Sequence, residues 1–175
     1  TNMVNTMGNI GKVYAVMGDF HNSKEYAVRS AAMAKNLGLY MTLMNSTSDI
    51  GYAGLGSGDR DACFAAYNEM ARLADSLNNQ EYLVEADICL AEAYLAFDMA
   101  DSAVAHAVRG ASGAREIGDP TTLGRALVAE GKAISAASDA TLRKAGISPN
   151  ERSARAKKSF VEAISATPGF LNELA

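Results

Sequence analysis

The stretch Ile10-Gly11-Lys12-Val13-Tyr14, with Gly18-Asp19-Phe20 close behind it, decides how this chain is read. Forty residues on, Ile50-Gly51-Tyr52 leads to Gly58-Asp59-Arg60, and after another forty the same columns hold Leu90-Ala91 with Tyr94. Gly131 continues the small-residue column in a fourth copy and Asp139 the acidic one. The ends of the units recur as well: Ala34, Ala74 and Ala114 share a column, followed by Leu37-Gly38, Leu77-Asn78 and Ile117-Gly118. Self-similarity at a fixed period of this length marks a stacked array, in which each unit buries its apolar face against the next.

Each column has a physical meaning. A Gly or Ala at 11, 51, 91 and 131 lets a facing helix come close, while Tyr14 or Tyr94 fills the space beside it. The Gly-Asp pairs end one helix in the left-handed terminal conformation and cap the next, and the Leu-Gly and Leu-Asn pairs stop the second helix in the same way. The expectation is an all-α chain of eight helices in four hairpins. First helices fall near 2–17, 41–56, 81–97 and 121–137, and second helices near 20–37, 60–77, 100–117 and 149–166. Short turns make neighbours antiparallel. The units span about 1–39, 40–79, 80–119 and 120–168, the last with an insertion at 139–148. Ser148-Pro149-Asn150-Glu151 then reads as a helix restart, with a cap, a first-turn proline and a capping-box glutamate. Residues 169–175 read as the start of a further helix or a tail.

Ile10-Gly11, Tyr14, Gly18-Asp19-Phe20, Ala34 and Leu37-Gly38 resemble the tetratricopeptide repeat in its 40-residue form, as in kinesin light chains and bacterial regulators. Ala156, Phe160, Ala163-Ile164 and Pro168 resemble the ending of its shorter form. The resemblance implies a right-handed α-solenoid of four helix-turn-helix repeats, one domain over 1–175, that binds a protein or peptide without catalysis. In that family the first helices of successive repeats line a concave groove. By register the groove positions here are Asn5, Gly8 and Lys12, then Asn45, Ser48 and Tyr52, then Glu85, Ile88 and Glu92, then Arg125, Val128 and Lys132. Spacing of three and four places each set on one helix face. Asn5, Lys12, Asn45, Tyr52, Glu85, Glu92, Arg125 and Lys132 are the candidate partner-binding residues, with Tyr52 as an apolar anchor. One subgroup clamps the carboxylate end of chaperone tails with cations, but the matching places here are Gly8, Lys12, Asp49, Glu85 and Cys89, which disfavours that role. Charge along the groove runs from one cation through two acids to two cations, which suits an extended or helical peptide of mixed charge. The resemblance also points to a larger bacterial regulatory or signalling protein; Thr1 in place of Met and an unfinished last unit are expected to mark an excised piece. The alternative is a structural module that self-associates into a homo-oligomer through exposed solenoid ends.

Composition sets the outer bounds. Of 175 residues 49% are hydrophobic and 21% charged, enough apolar matter for a sizeable core and too little charge for disorder. Alanine dominates, Trp is absent and aromatics make up only 7%, which suits closely packed helices over sheets. The net charge of −4 offers no field for a polyanion, so nucleic acid is not an expected partner. No apolar run reaches a membrane-spanning length, because Asp87, Glu92 and Asp98 interrupt the best one; the expectation is a soluble chain, with the cytoplasm the favoured compartment. Cys63 and Cys89 lack metal-ligand spacing and read as buried free thiols. The glycines at 51, 54, 56 and 58 have no Lys-Ser/Thr pair and follow no strand, so they read as helix-packing positions, not a phosphate loop. His21 and His106 lie two units apart, Asp59 and Asp61 sit at a helix start, and no catalytic, metal or cofactor set emerges. Met41 and Met44, next to Tyr40, are the methionines to check for exposure. Arg152, Arg155, Lys157 and Lys158 read as a solvated basic face.

Overall fold

The computed structural model describes residues 2–166, and every regular element among them is helical. In chain order these are α1 (Asn2–Val16), α2 (Phe20–Asn36), α3 (Tyr40–Ser57), α4 (Arg60–Ser76), α5 (Gln80–Ala96), α6 (Ala100–Ile117), α7 (Pro120–Ala136), α8 (Asp139–Lys144) and, after a 3-10 turn at Pro149–Glu151, α9 (Arg152–Ala166). The described residues are thus all-α, a helical-repeat array in which helices pack on their neighbours within each compact unit. The expected further helix at 169–175 lies outside the described residues.

The punctuation expected from the sequence is present in the backbone. Gly18, Gly38, Gly58 and Gly118 have φ between 66° and 77°, and Asn78 and Asp98 stand at 50° and 58° in the equivalent places. Asp19, Asp59 and Asp119 cap the helices that follow, their carboxylates accepting from the backbone N–H of Asn22, Ala62 and Thr122. The fourth unit departs from the expectation twice. Its cap after α7 is Ser138, whose hydroxyl accepts from Thr141 N–H, and Asp139 is already inside α8. Ser148 makes no side-chain cap bond; the turn closes through Glu151 N–H on the Ser148 carbonyl at 2.9 Å, so the capping box does not form and α9 begins three residues later.

The helices fall into two compact units, residues 1–83 and 84–175. In unit 1, α1 packs on α2, α2 on α3 and α3 on α4, with a lighter contact between α1 and α3. Met44, Cys63, Tyr67 and Met70 are buried there, and each large side chain contributes roughly 1.5–3 kcal/mol by leaving water. Met41, by contrast, is exposed. Buried hydroxyls are satisfied within the unit: Ser30 donates to the Val4 carbonyl at 3.1 Å and shares a 2.8 Å bond with Ser46. In unit 2, α7 packs on both α6 and α9, and one core cluster joins Val104, Ile134, Leu142 and Ala156. Leu142 and Ile147 therefore tie the 139–148 insertion into the core.

The small-residue column does what its position demands. A Cβ added at Gly11 would lie 3.2 Å from the Ser23 carbonyl oxygen, one at Gly51 would enter the Tyr67 ring, and one at Gly131 would stand 2.7 Å from the Phe160 ring; Ala91 in the same column is fully buried. Beside them Tyr14 stacks on Tyr26 and Tyr94 on His106, each with centroids 5.6 Å apart. Gly54 is less forgiving, because its Cβ would meet backbone: Cys63 N at 2.8 Å and Cα at 3.0 Å.

Two outcomes follow for stability. Gly54→Ala gains about 1 kcal/mol of helix propensity but overpacks α3 against α4 at a cost of about 1–3 kcal/mol, so its urea midpoint falls; Gly8→Ala, whose Cβ has only Ser30 Oγ at 3.7 Å, raises it. Leu142→Ala costs about 2–5 kcal/mol in the same measurement, whereas an insertion serving as a slack loop would leave the midpoint unchanged.

Candidate functional site

The sequence candidates of unit 2 come together along α5 and α7. Glu85, Cys89 and Glu92 lie at i, i+4 and i+7 on α5, one face of that helix, and Arg125 of α7 reaches all three. Its Nη1 donates to Glu85 Oε1 at 2.8 Å, Nη2 and Nε donate to the Glu92 carboxylate at 2.8 and 3.3 Å, and Nη2 stands 3.9 Å from Cys89 Sγ. Burial alone would favour the neutral guanidine, but the hydrogen bonds and charges of Glu92 and Glu85 outweigh it and raise the Arg125 pKa. The acids and cations expected to lie in separate stretches are thus partly cross-paired. One guanidinium faces two carboxylates, leaving an excess negative charge at that level. Lys132, two turns further along α7, is exposed and forms no ion pair among the described residues.

Arg125, Val128 and Lys132 line an open-sided trough of about 870 Å³ within unit 2. One wall is α5, with Glu92 and Leu95; the floor is α7, from Thr121 to Ala136; the other wall is α9, with Phe160 and Ile164. The lining is mostly apolar, and Val128 and Ile164 remain exposed within it. The placement of Phe160 follows from Gly131, whose missing side chain leaves room for the ring against α7.

Behind the trough a polar lock holds α9 in place. Glu130 is only 1% exposed; its Oε2 accepts from Ser159 Oγ at 2.8 Å and from Arg115 Nη2 at 3.4 Å. Arg155 Nη2 lies 3.7 Å from Oε1, and Arg115 continues to Glu162 through two bonds of 2.7 and 3.0 Å. Arg155, read from the sequence as part of a solvated face, is therefore also a partner of this buried carboxylate. Phe160 and Ile164 escaped the register argument because it followed first helices alone and α9 is a second helix; Leu95, on the first helix α5, lies three residues beyond Glu92, where the register set ended. The pairing of Glu85 with Arg125 had a signal: opposite charges exactly one repeat apart.

In unit 1 the candidates have other surroundings. Lys12 Nζ stands 4.0 Å from Asp49, whose pKa is raised by burial and only partly restored by Lys12. Tyr82 Oη donates to Asn45 Oδ1 at 2.7 Å. Tyr52, 53% exposed, meets Phe20 edge-on with centroids 6.4 Å apart, and Asn5 is exposed on α1. The free thiols are buried, and burial pushes Cys63 up to about 11 and raises Cys89 further still. No group of three or more His, Cys, Asp or Glu among the described residues is placed to hold a metal, and none of their helices is long and apolar enough to cross a membrane.

On α5 and α6 a second charged cluster is built on Asp87. His106 Nδ1 lies 2.7 Å from its Oδ1, and Arg109 donates to both carboxylate oxygens at 2.7 and 3.0 Å. Burial works to raise the Asp87 pKa, but the bonds from His106 and Arg109 outweigh it and the net shift is downward. Comparison with protein-family models and with curated proteins finds no match to this chain.

The lowered pKa fixes a sign. The unfolded chain binds more protons at this position than the folded one, so the contribution of Asp87 to stability is complete above the unfolded carboxylate value, about 3.9, and is lost as pH falls through the depressed folded value. Asp87→Asn is expected to lower the melting temperature at neutral pH and to flatten the acid side of its pH profile; a variant profile parallel to the parent's down to pH 3 contradicts this.

Proposed function

We propose that this chain is a non-catalytic scaffold of the tetratricopeptide kind, which holds a protein or peptide segment against the first helices of its hairpins, and that in unit 2 the segment lies in the trough between α5 and α9. The observation that carries this reading is the trough itself: an apolar, open-sided recess of about 870 Å³ with exposed Val128 and Ile164 inside it and charged groups confined to Glu92, Arg125 and Lys132. Exposed apolar recesses framed by polar groups are where soluble proteins take ligands. The recurrent columns of small residues and the left-handed helix ends support the family assignment. Catalysis has no comparable support, since Arg125 is engaged by two carboxylates and both thiols are buried and poorly ionised.

A second reading, self-association, is favoured by a different surface. On α1 and the turn directly after it, Met3, Val13, Val16 and Met17 are all at least 60% exposed, Val16 reaching 89%. Covering those side chains with a second copy would bury apolar area on both. Light scattering that reports a monomer at every concentration up to the millimolar range removes this reading.

The groove reading is checked with a photo-reactive phenylalanine analogue introduced at Val128 and, as control, at exposed Ser112 of α6. Irradiation in the native cell is expected to join position 128 to a discrete polypeptide and position 112 to none. Equal labelling at the two positions removes the trough as the binding surface.

A further inference from the structure

We propose that the segment held in the trough is the first helix of a second copy of this chain, so that α1 of one molecule seats between α7 and α9 of another. This rests on the groove reading above and names its occupant.

The bare face of α1 comes first. Met3, Thr6, Ile10, Val13 and Met17 recur at steps of three and four, which makes one stripe, and all five are exposed. The stripe carries no charge. Forty residues on, the same columns of α3 hold Leu43, Ser46 and Ala53, all buried. That face of α3 meets the second helix α2, where Ser46 shares its 2.8 Å bond with Ser30. The columns hold buried Ala86, Leu90 and Ala93 on α5 and buried Ala126, Glu130 and Ala133 on α7. Of the first helices, α1 is the one whose stripe is uncovered.

The trough supplies what that stripe lacks. Ala156, Ser159 and Ala163 are buried on α9 with the spacing of Cys63, Ala66 and Met70 on α4. Phe160 lies against Gly131 as Tyr67 lies against Gly51. Buried Ser23, Ala27 and Ser30 show the same pattern on α2, so Lys157 follows Ala156 as Lys24 follows Ser23, and Ala163 takes the place of Ser30. Toward an incoming first helix, α7 and α9 therefore present the face that α1 and α2 present to α3.

Charges agree with this docking. In unit 1, Lys24 donates to Asp59 at 2.9 Å and Lys12 Nζ stands 4.0 Å from Asp49. Between two copies those places hold Lys157 with Asp19 of the second copy, and Lys132 with Asn9 of the second copy. Both lysines are exposed, and each meets an oxygen acceptor with no like charge opposed. Thr6 of the second copy comes to lie on Ala163; its hydroxyl already donates to the Asn2 carbonyl at 2.9 Å, so covering it orphans no donor.

Val13→Glu and Val128→Glu each alter an exposed side chain, one on either side of the joint, and circular dichroism melts check that both variants keep the parent's fold. In light scattering up to the millimolar range, the parent is expected to associate head to tail, growing past two copies or closing into a ring. Each variant alone is expected to stay monomeric. Their equimolar mixture should form a one-to-one pair, because Val128→Glu keeps its α1 and Val13→Glu keeps its trough. Adding Lys157→Glu to the Val13→Glu copy should weaken that pair about two- to five-fold; an unchanged affinity overturns the pairing with Asp19. Val128→Glu that dimerises by itself assigns the stripe to α1 against α1 and overturns the head-to-tail joint. A monomeric parent overturns the second copy altogether, and the photo-reactive residue at 128 then tells why. An adduct with residues 167–175 of the same chain gives the trough to the chain's own following segment, and one with a different polypeptide leaves the groove reading standing. No adduct at all removes the groove as well.

Discussion

The close approach of paired helices is the constraint on which everything else in this molecule depends. Gly11, Gly51, Ala91 and Gly131 hold one column of the sequence, and wherever a glycine stands there the opposite helix leaves no comfortable room for a methyl group. The consequence reaches beyond packing density. Because the floor helix α7 is bare at Gly131, the Phe160 ring can lie against it, and the wall of the trough is set by that contact. A medium-sized residue in the column would push α9 outward and alter the recess before it altered the helix content.

Polar groups refine what the small residues permit. Glu130 sits almost without solvent between α6, α7 and α9, held by Ser159 and Arg115 and faced by Arg155. Removing one partner of such a cluster is costly because the remaining charge stays buried, so the cluster discourages alternative placements of α9. On the open side, Arg125 performs a comparable service for α5 and α7 while still lining the recess. Structural and recognition roles meet in that one side chain.

Much of this was legible in the sequence. The period of forty, the left-handed helix ends and the capping aspartates placed eight long helices to within a few residues, since each of those features acts over a few bonds and needs no knowledge of the partner helix. The fourth unit was read less well. Ser138 replaced Asp139 as the cap, and the Ser148 turn closed through its backbone, because a hydroxyl and a carboxylate one residue apart compete for the same donors and only geometry decides between them. The register argument brought Glu85, Glu92, Arg125 and Lys132 to one surface region, but it treated their charges as independent. Neither the bidentate pairing nor the contribution of α9 to the recess could be derived from spacing, since both depend on how far apart two helices settle.

The two thiols illustrate a different reach of the same architecture. Cys63 belongs to the first unit and Cys89 to the second, each enclosed by its own helices and each disfavoured as a thiolate. Alkylating reagents can reach either sulfur only when its surroundings breathe, so the chain carries one internal clock per half. Their separate rates would time the opening of the two halves independently, within a single molecule and without any added label.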